Sequence, residues 1–216
     1  MKLLSYPTTA KLTIAAGITA AMTSLVVLTG FGSGNWLLGG LGDLLDVLNS
    51  LLVIPLFLAL GALTGALNEP AGRFVQIMGV AGALVRMAGA FLIVSGIMAY
   101  EQAVLLVNGG AGLMGIAILL FAAVNRTRPA LRSSYLIFSA MVGGVMALSL
   151  LGLLLNDQFT PLLRGEVSFA EANPLVVALL LLSPLFILGY PIWLLWTGRL
   201  LLKSTLGYPD VSAAAA

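Results

Sequence analysis

The stretch FVQIMGVAGALVRMAGAFLIVSGIMAY, residues 74–100, decides the fold class of this chain. It carries one charged side chain, Arg86, close to its middle. An α-helix needs about 20 apolar residues to cross the hydrocarbon core of a bilayer, whereas a barrel strand would alternate polar and apolar residues over about 10 positions. The stretch is long enough for the helix and does not alternate. We therefore expect residues 74–100 to form a membrane-spanning helix.

The rest of the chain has a similar composition. Of its 216 residues, 60% are hydrophobic and only 8% are charged, whereas about 25% are charged in soluble domains. A soluble fold of this size could not bury so much apolar surface. The sequence predicts an all-α membrane bundle of six helices, forming one domain over residues 1–216, with spans at about 12–29, 44–67, 74–100, 104–124, 135–155 and 175–202.

The first apolar run has an alternative interpretation as a signal peptide, because Lys2 and Lys11 precede it. The run ends in LTGFGSG, residues 28–34, which contains no clear A-x-A cleavage motif. We expect a retained membrane span.

The distribution of basic residues supports the span count and predicts an orientation. With six spans, Arg164 alone falls on the side opposite the two termini, while Arg86 lies inside the bilayer. The terminal side holds eight basic residues: Lys2, Lys11, Arg73, Arg126, Arg128, Arg132, Arg199 and Lys203. Cytoplasmic loops carry an excess of Lys and Arg. We therefore expect both termini in the cytoplasm and a multi-pass protein of the inner (plasma) membrane.

The residue types that are missing exclude several kinds of chemistry. The chain has no cysteine and no histidine, which excludes disulfides, thiolate nucleophiles, histidine-ligated haem or metals and a Ser-His-Asp triad. A chlorophyll held through another ligand or through water stays open. The basic residues form no dense cluster, so a nucleic-acid partner is not expected. We expect no enzymatic activity, no cofactor and no metal.

Arg86 is the residue that most suggests a site. A charge at mid-bilayer costs at least about 2.5–3.5 kcal/mol and usually faces the interior of a bundle. Gly82, Gly89 and Gly96 lie on the same predicted helix face, and small residues let helices approach closely. This face could pack within the chain, bind a membrane-protein partner or form a homo-oligomer. Arg86 itself has two interpretations. It is a structural arginine hydrogen-bonded to carbonyls or to an acidic partner, or it forms an anion or headgroup site or a gating charge.

The second predicted span offers partners for this arginine. Asp43, Asp46 and Asn49 are spaced three residues apart and form one polar stripe. We expect Arg86 to pair with Asn49, or with Asp46 through water. Asp43 has the simpler interpretation of a solvated helix start. Asn108 of the fourth span completes the candidate intramembrane polar site, which comprises Arg86, Asp46, Asn49 and Asn108.

The string YPIWLLWTGR, residues 190–199, predicts an interfacial anchor made of Trp193, Trp196 and Arg199. Indole rings favour the headgroup level of a bilayer, and a basic residue stops the span there. The run Gly189-Tyr190-Pro191-Ile192-Trp193 followed by Gly198-Arg199 resembles the last helix of small bacterial polytopic membrane proteins. The buried Arg86 followed by a short hairpin is also similar. The resemblance implies a bacterial membrane protein and no particular activity.

Three classes of function remain. The first is a non-catalytic structural or accessory subunit of a larger membrane assembly, favoured by the small-residue faces and short connections. The second is a small transporter or channel whose polar site lies around Arg86, Asp46 and Asn49. The third is a lipid-modifying membrane enzyme, which would need acids or nucleophiles clustered near an interface. The sequence favours the first and retains the second as its alternative.

Overall fold

The computed structural model describes residues 6–33, 36–155, 167–168 and 171–203 of the chain. In these ranges the backbone is helical, joined by short turns, and contains no β-strand. The long helices are α1 Tyr6–Ser33, α2 Trp36–Gly65, α3 Glu69–Val94, α4 Tyr100–Val124, α5 Ser133–Leu154 and α6 Pro174–Leu202, and a short 3-10 turn, Asn125–Thr127, follows α4.

All six helices are long and apolar enough to cross a membrane. The predicted fold class, an all-α bundle of six membrane-spanning helices, is therefore confirmed. Many large apolar side chains remain exposed on the outside of the bundle, including Ile77, Ile97 and Leu181 at 66%, 71% and 74% exposure. Exposed apolar surface on this scale indicates contact with lipid.

The boundary between α3 and α4 differs from the prediction. α3 ends at Val94 and α4 begins at Tyr100, so the predicted span 74–100 extends too far. Gly96 has a φ of +67°, a backbone conformation that a residue with a Cβ adopts at a cost. Its amide donates to the Ile93 carbonyl, which closes the last turn of α3. Gly96 therefore lies in the turn and not on the α3 packing face where it was predicted.

Glycines set the close approach of α2 and α3. A Cβ at Gly72 would lie 2.4 Å from the Cα of Gly65 and 2.5 Å from the carbonyl oxygen of Gly61. The Asn68 side chain accepts a hydrogen bond from the Ala71 amide and caps the start of α3. The cap and the glycine contact fix the register of this antiparallel pair.

The α3 face that was predicted to bind a partner is covered within the chain. A Cβ at Gly82 would lie 2.6 Å from the carbonyl oxygen of Gly110, and one at Gly89 would lie 2.9 Å from that of Ala103. Both contacts are with the backbone of α4. Of the three interpretations of this face, packing within the chain is the one observed at Gly82 and Gly89, because α4 occupies both positions, and the structure does not support a partner or homo-oligomer on the face of Gly82, Gly89 and Gly96.

Each helix packs against the next in sequence, and α6 packs against both α5 and α1. The six helices therefore close into a bundle in which consecutive helices run in opposite directions. We call the end where α2, α4 and α6 begin the Asp43 end, after a residue early in α2. The opposite end holds the start of α1, the turn after α2 and the basic segment that follows α4.

The predicted orientation can be tested with one substitution. Gly165 belongs by sequence to the connection between α5 and α6, on the side opposite the termini. A cysteine there, in a chain that has no other cysteine, should react with a membrane-impermeant maleimide added outside intact cells. Labelling that occurs only after the cells are opened would contradict both the predicted orientation and the distribution of basic residues from which it was inferred.

Candidate intramembrane polar site

Arg86 and Asp46 form a direct ion pair between α3 and α2. Arg86 Nη2 lies 2.7 Å from Oδ1 and 2.9 Å from Oδ2 of Asp46, and Nε lies 3.1 Å from Oδ2. Each residue is only 7% exposed. The geometry is a two-nitrogen, two-oxygen pairing, the strongest form of this interaction. The candidate partner Asp46 is thus brought to Arg86, through direct contact and not through water as predicted.

Arg86 lies closer to the Asp43 end than predicted. α3 spans Glu69–Val94, so its midpoint falls at Ala81 and Gly82. At 1.5 Å per residue, Arg86 lies about 7 Å beyond that midpoint in the direction of Asp46. The predicted span, residues 74–100, was centred too late because it began five residues after Glu69 and included the turn at Gly96. The shift removes the gap that the water was expected to fill.

Two aromatic rings of α6 flank the guanidinium. The Cζ of Arg86 lies 5.7 Å from the ring centroid of Phe186 and 6.0 Å from that of Tyr190. Cations are attracted to the faces of aromatic rings at such distances. The backbone of Arg86 lies against Gly110, where a Cβ would meet the Arg86 amide nitrogen at 2.5 Å. α4 therefore supports Arg86 from behind while its side chain reaches α2 and α6.

One nitrogen of the guanidinium stays unpaired. Arg86 Nη1 is buried and has no hydrogen-bond partner in the part of the chain that the structure describes. An unsatisfied buried polar group costs about 1–3 kcal/mol. Its presence next to a well-formed ion pair indicates an incomplete set of contacts.

A cavity of about 130 Å³ borders the ion pair. Both charged residues line it, and the remaining walls come from α1 and α6: Ala20, Thr23, Ser24, Val27, Phe186, Ile187, Tyr190 and Pro191. The Ser24 hydroxyl donates to the Ile187 carbonyl at 2.7 Å and links these two helices. The cavity therefore lies where α1, α2, α3 and α6 meet.

Asn49 lies one turn after Asp46 but does not bind Arg86. Its Nδ2 donates to the Ala16 carbonyl at 2.6 Å and approaches the Thr19 hydroxyl at 3.3 Å, both on α1. The Tyr190 hydroxyl reaches its Oδ1 at 3.5 Å. Asn49 thus connects α1, α2 and α6 beside the pair. The expectation that Asn49 pairs with Arg86 is not met.

Asn108 lies in a different helix interface. Its backbone carbonyl accepts a hydrogen bond from the Ser149 hydroxyl at 2.8 Å, between α4 and α5. Among the described residues, no hydrogen bond joins its side chain to Arg86, Asp46 or Asn49. The structure therefore brings three of the four candidate polar residues together and leaves Asn108 apart.

The three residues of the predicted anchor occupy different environments. Trp193 is completely buried, and its indole nitrogen donates to the Ser139 hydroxyl at 2.9 Å. A buried indole has no surface for headgroups, so Trp193 does not belong to the anchor. Trp196 is half-buried against the ring of Tyr135, and Arg199 is exposed. An interfacial role for Trp196 and Arg199 stays a prediction.

The contributions of α1 and α6 were missed at the sequence level. Tyr190 was assigned to the anchor string, whereas its ring flanks Arg86. The sequence contained two signals of these contributions. Thr23 and Ser24 form a pair of hydroxyl residues within an apolar span, and Phe186 and Tyr190 are aromatic residues spaced four apart on α6.

No protein-family model matches the chain, and neither a curated protein nor a solved structure shows significant similarity to it.

Proposed function

We propose that the protein is a non-catalytic, multi-pass membrane carrier that takes up a small polar solute at the Arg86–Asp46 pair. One observation carries the proposal: a cavity of about 130 Å³ is lined by both residues of the buried pair, and the Nη1 atom of Arg86 has no hydrogen-bond partner among the described residues. Ionisable residues within membrane spans mark solute and ion pathways, because their burial is otherwise costly.

A purely structural ion pair would be expected to leave no space and no unused donor. Removing charges from water costs several kcal/mol per ion, and only good geometry with all remaining donors satisfied offsets it. The Asp46 side of the pair meets this condition through three hydrogen bonds. The Nη1 side does not, and this favours a binding site over a packing contact.

The accessory-subunit hypothesis loses one of its supports. It rested on short connections and on small-residue faces available to a partner, and the face at Gly82 and Gly89 is covered by α4. The carrier hypothesis gains a cavity and an unpaired donor. We therefore prefer it.

The lining hydroxyls support the proposal that no covalent chemistry occurs. A hydroxyl nucleophile needs a base to take its proton. The Ser24 hydroxyl is bonded to the carbonyls of Ala20 and Ile187, and the Thr23 hydroxyl to that of Thr19. In the described ranges, no hydrogen bond joins Asp46, the acid of the site, to either of these hydroxyls, and its carboxylate pairs with Arg86.

The distribution of lysine and arginine supports placement of this carrier in the inner (plasma) membrane, with cytoplasmic termini.

Access to the cavity provides the test. Because the chain has no cysteine, an Ala20→Cys variant carries one thiol on the cavity wall. If the site is a solute site, a small water-soluble methanethiosulfonate should modify this thiol in the folded protein in liposomes. Mass spectrometry of the intact chain would measure the rate.

Ala16→Cys is the matched control. Ala16 lies one turn earlier on α1, is fully buried and does not line the cavity. Its thiol should stay unmodified until the protein is unfolded. Equal resistance at both positions would mean that the cavity is closed to water, and the carrier proposal would be lost.

A further inference from the structure

We propose that the solute is a small monocarboxylic acid, held with its carboxylate on Arg86 Nη1 and its proton on Asp46. This inference rests on the proposed carrier function and names the ligand class of the same site. It follows from three properties of the site: the unused N–H donors of Arg86, the charge of the Arg86–Asp46 pair, and the size of the neighbouring cavity.

The unused donors lie on one side of the guanidinium. Arginine has five N–H groups and no acceptor. Nε and Nη2 serve Asp46, while the two N–H groups of Nη1 have no partner in the described ranges and Arg86 is 7% exposed. A ligand that completes this arginine must therefore supply hydrogen-bond acceptors, and a carboxylate supplies oxygen acceptors with a charge opposite to that of the guanidinium.

The total charge of the site determines whether a proton enters together with the ligand carboxylate. Arg86 and Asp46 compensate each other, so the empty site is neutral. A carboxylate that arrived alone would leave one uncompensated negative charge in an apolar bundle, which is costly. One proton taken up from water by Asp46 restores neutrality, and it leaves again with the carboxylate. No covalent bond forms or breaks apart from this protonation of the Asp46 carboxylate.

Among the residues that the structure describes, three charged or titratable groups lie around Asp46. Arg86 faces it from α3, Tyr190 lies close to the pair on α6, and Asp43 lies one turn before it on α2. α1 contributes Ala20, Thr23, Ser24 and Val27, none of which titrates. Arg86 is therefore the cation that faces Asp46 among the described residues, so the charge of the site is set by these two groups and the ligand.

The size and walls of the cavity limit the rest of the ligand. The cavity of about 130 Å³ is larger than one water molecule needs, and it suits a small organic molecule such as acetate or propionate. Val27, Phe186 and Pro191 offer apolar walls for a short alkyl group. Di- and tricarboxylates would bring further charges with no cation to meet them among the lining residues.

Protection of the Ala20→Cys thiol by acetate tests this inference on the full-length protein in liposomes. Acetate should slow methanethiosulfonate modification, after correction for the intrinsic thiol reactivity at each pH. Between about pH 6 and pH 8, where free acetate stays ionised, its half-protecting concentration should rise up to about tenfold per pH unit, because one proton binds with each carboxylate.

Substitutions in the Ala20→Cys background separate the two partners. Arg86→Gln should abolish protection by acetate. Asp46→Asn, which resembles the protonated aspartate, should retain protection and remove its pH dependence. Arg73→Gln removes an exposed arginine from the opposite end of α3. In this variant acetate should protect the thiol as well as it does in the Ala20→Cys protein alone. If the site variants fail to fold, the pH dependence of acetate protection in the Ala20→Cys protein alone still tests the inference.

Two other ligands give outcomes that would overturn the inference. Chloride that protects as well as acetate would make the site a general anion site, and acetamide that protects equally at all pH values would make the ligand neutral. Modification of Ala20→Cys without protection by acetate would refute the carboxylic acid and leave the carrier proposal standing. Absence of modification, by contrast, would refute the carrier proposal itself.

Discussion

Replacing Asp46 with alanine should destabilise the bundle by about 3–5 kcal/mol, the usual cost of breaking a buried ion pair by removing one partner. The substitution leaves Arg86 buried at 7% exposure with no counter-ion among the described residues. The remaining Phe186 and Tyr190 rings offer much weaker attraction to the cation than a carboxylate does. Reversible unfolding in mixed detergent micelles, followed by circular dichroism, would measure the loss.

A double variant separates the charge from the packing. Asp46→Leu combined with Arg86→Met removes both charges and keeps apolar volume, and such replacements are often neutral or stabilising. It should therefore be more stable than Asp46→Ala alone. If the double variant is as unstable as the single one, an uncompensated charge is not the source of the cost.

Glu69→Ala is the matched control for an exposed pair. Glu69 and Arg73 form an ion pair one turn apart on α3, with 70% and 73% of their side chains exposed. Exposed pairs of this kind contribute little, because water and salt screen them. This variant should unfold close to the parent, and the contrast with Asp46→Ala measures the effect of burial.

The pairing of α2 with α3 shows how much of the site could be predicted. Asp46 lies 20 residues before the start of the turn at Ala66, and Arg86 lies 18 residues after its end at Asn68. Counting outward from the turn therefore places both at nearly the same level of an antiparallel hairpin. The direct contact could have been predicted in this way. It was missed because the centre of the span was estimated from hydropathy, which detects neither the polar start of α3 at Glu69 nor the turn at Gly96.

The aromatic and hydroxyl walls could not be predicted in the same way. Phe186 and Ser24 reach the site from α6 and α1, which are distant from α3 in sequence. Apolar spans of similar composition give no signal for which helix covers which face, because lipid and neighbouring helices are equally apolar. The burial of Trp193 was missed for a related reason: its Ser139 partner lies on another helix.

The contact between α4 and α5 shows the same limit at two adjacent glycines. Ala140 and Gly144 are spaced four residues apart, and this small-residue spacing alone would place Gly144 in the α5 interface. In the structure a Cβ at Gly143 would lie 2.8 Å from the Leu119 amide nitrogen and 2.9 Å from the Gly115 carbonyl oxygen. A Cβ at Gly144 would lie 3.9 Å from the end of the Leu119 side chain. The close approach therefore depends on Gly143.

Gly143→Ala should consequently destabilise the protein, whereas Gly144→Ala should not. The new methyl group at Gly143 meets backbone atoms of α4, so the two helices must separate, and such overpacking typically costs about 1–3 kcal/mol. The better helix propensity of alanine recovers up to about 1 kcal/mol of this at either position. Gly144→Ala keeps that gain without the clash and should be neutral or slightly stabilising.

Denaturant titrations of the two variants beside the parent would measure this difference. The adjacent positions share one helix, one substitution and one change in volume, so the comparison removes propensity and side-chain size as explanations. Only the direction of the added methyl group differs. If Gly144→Ala were the more damaging variant, α5 would have to be rotated relative to α4, and the α4–α5 contacts of Ser149 with Asn108 would change with it.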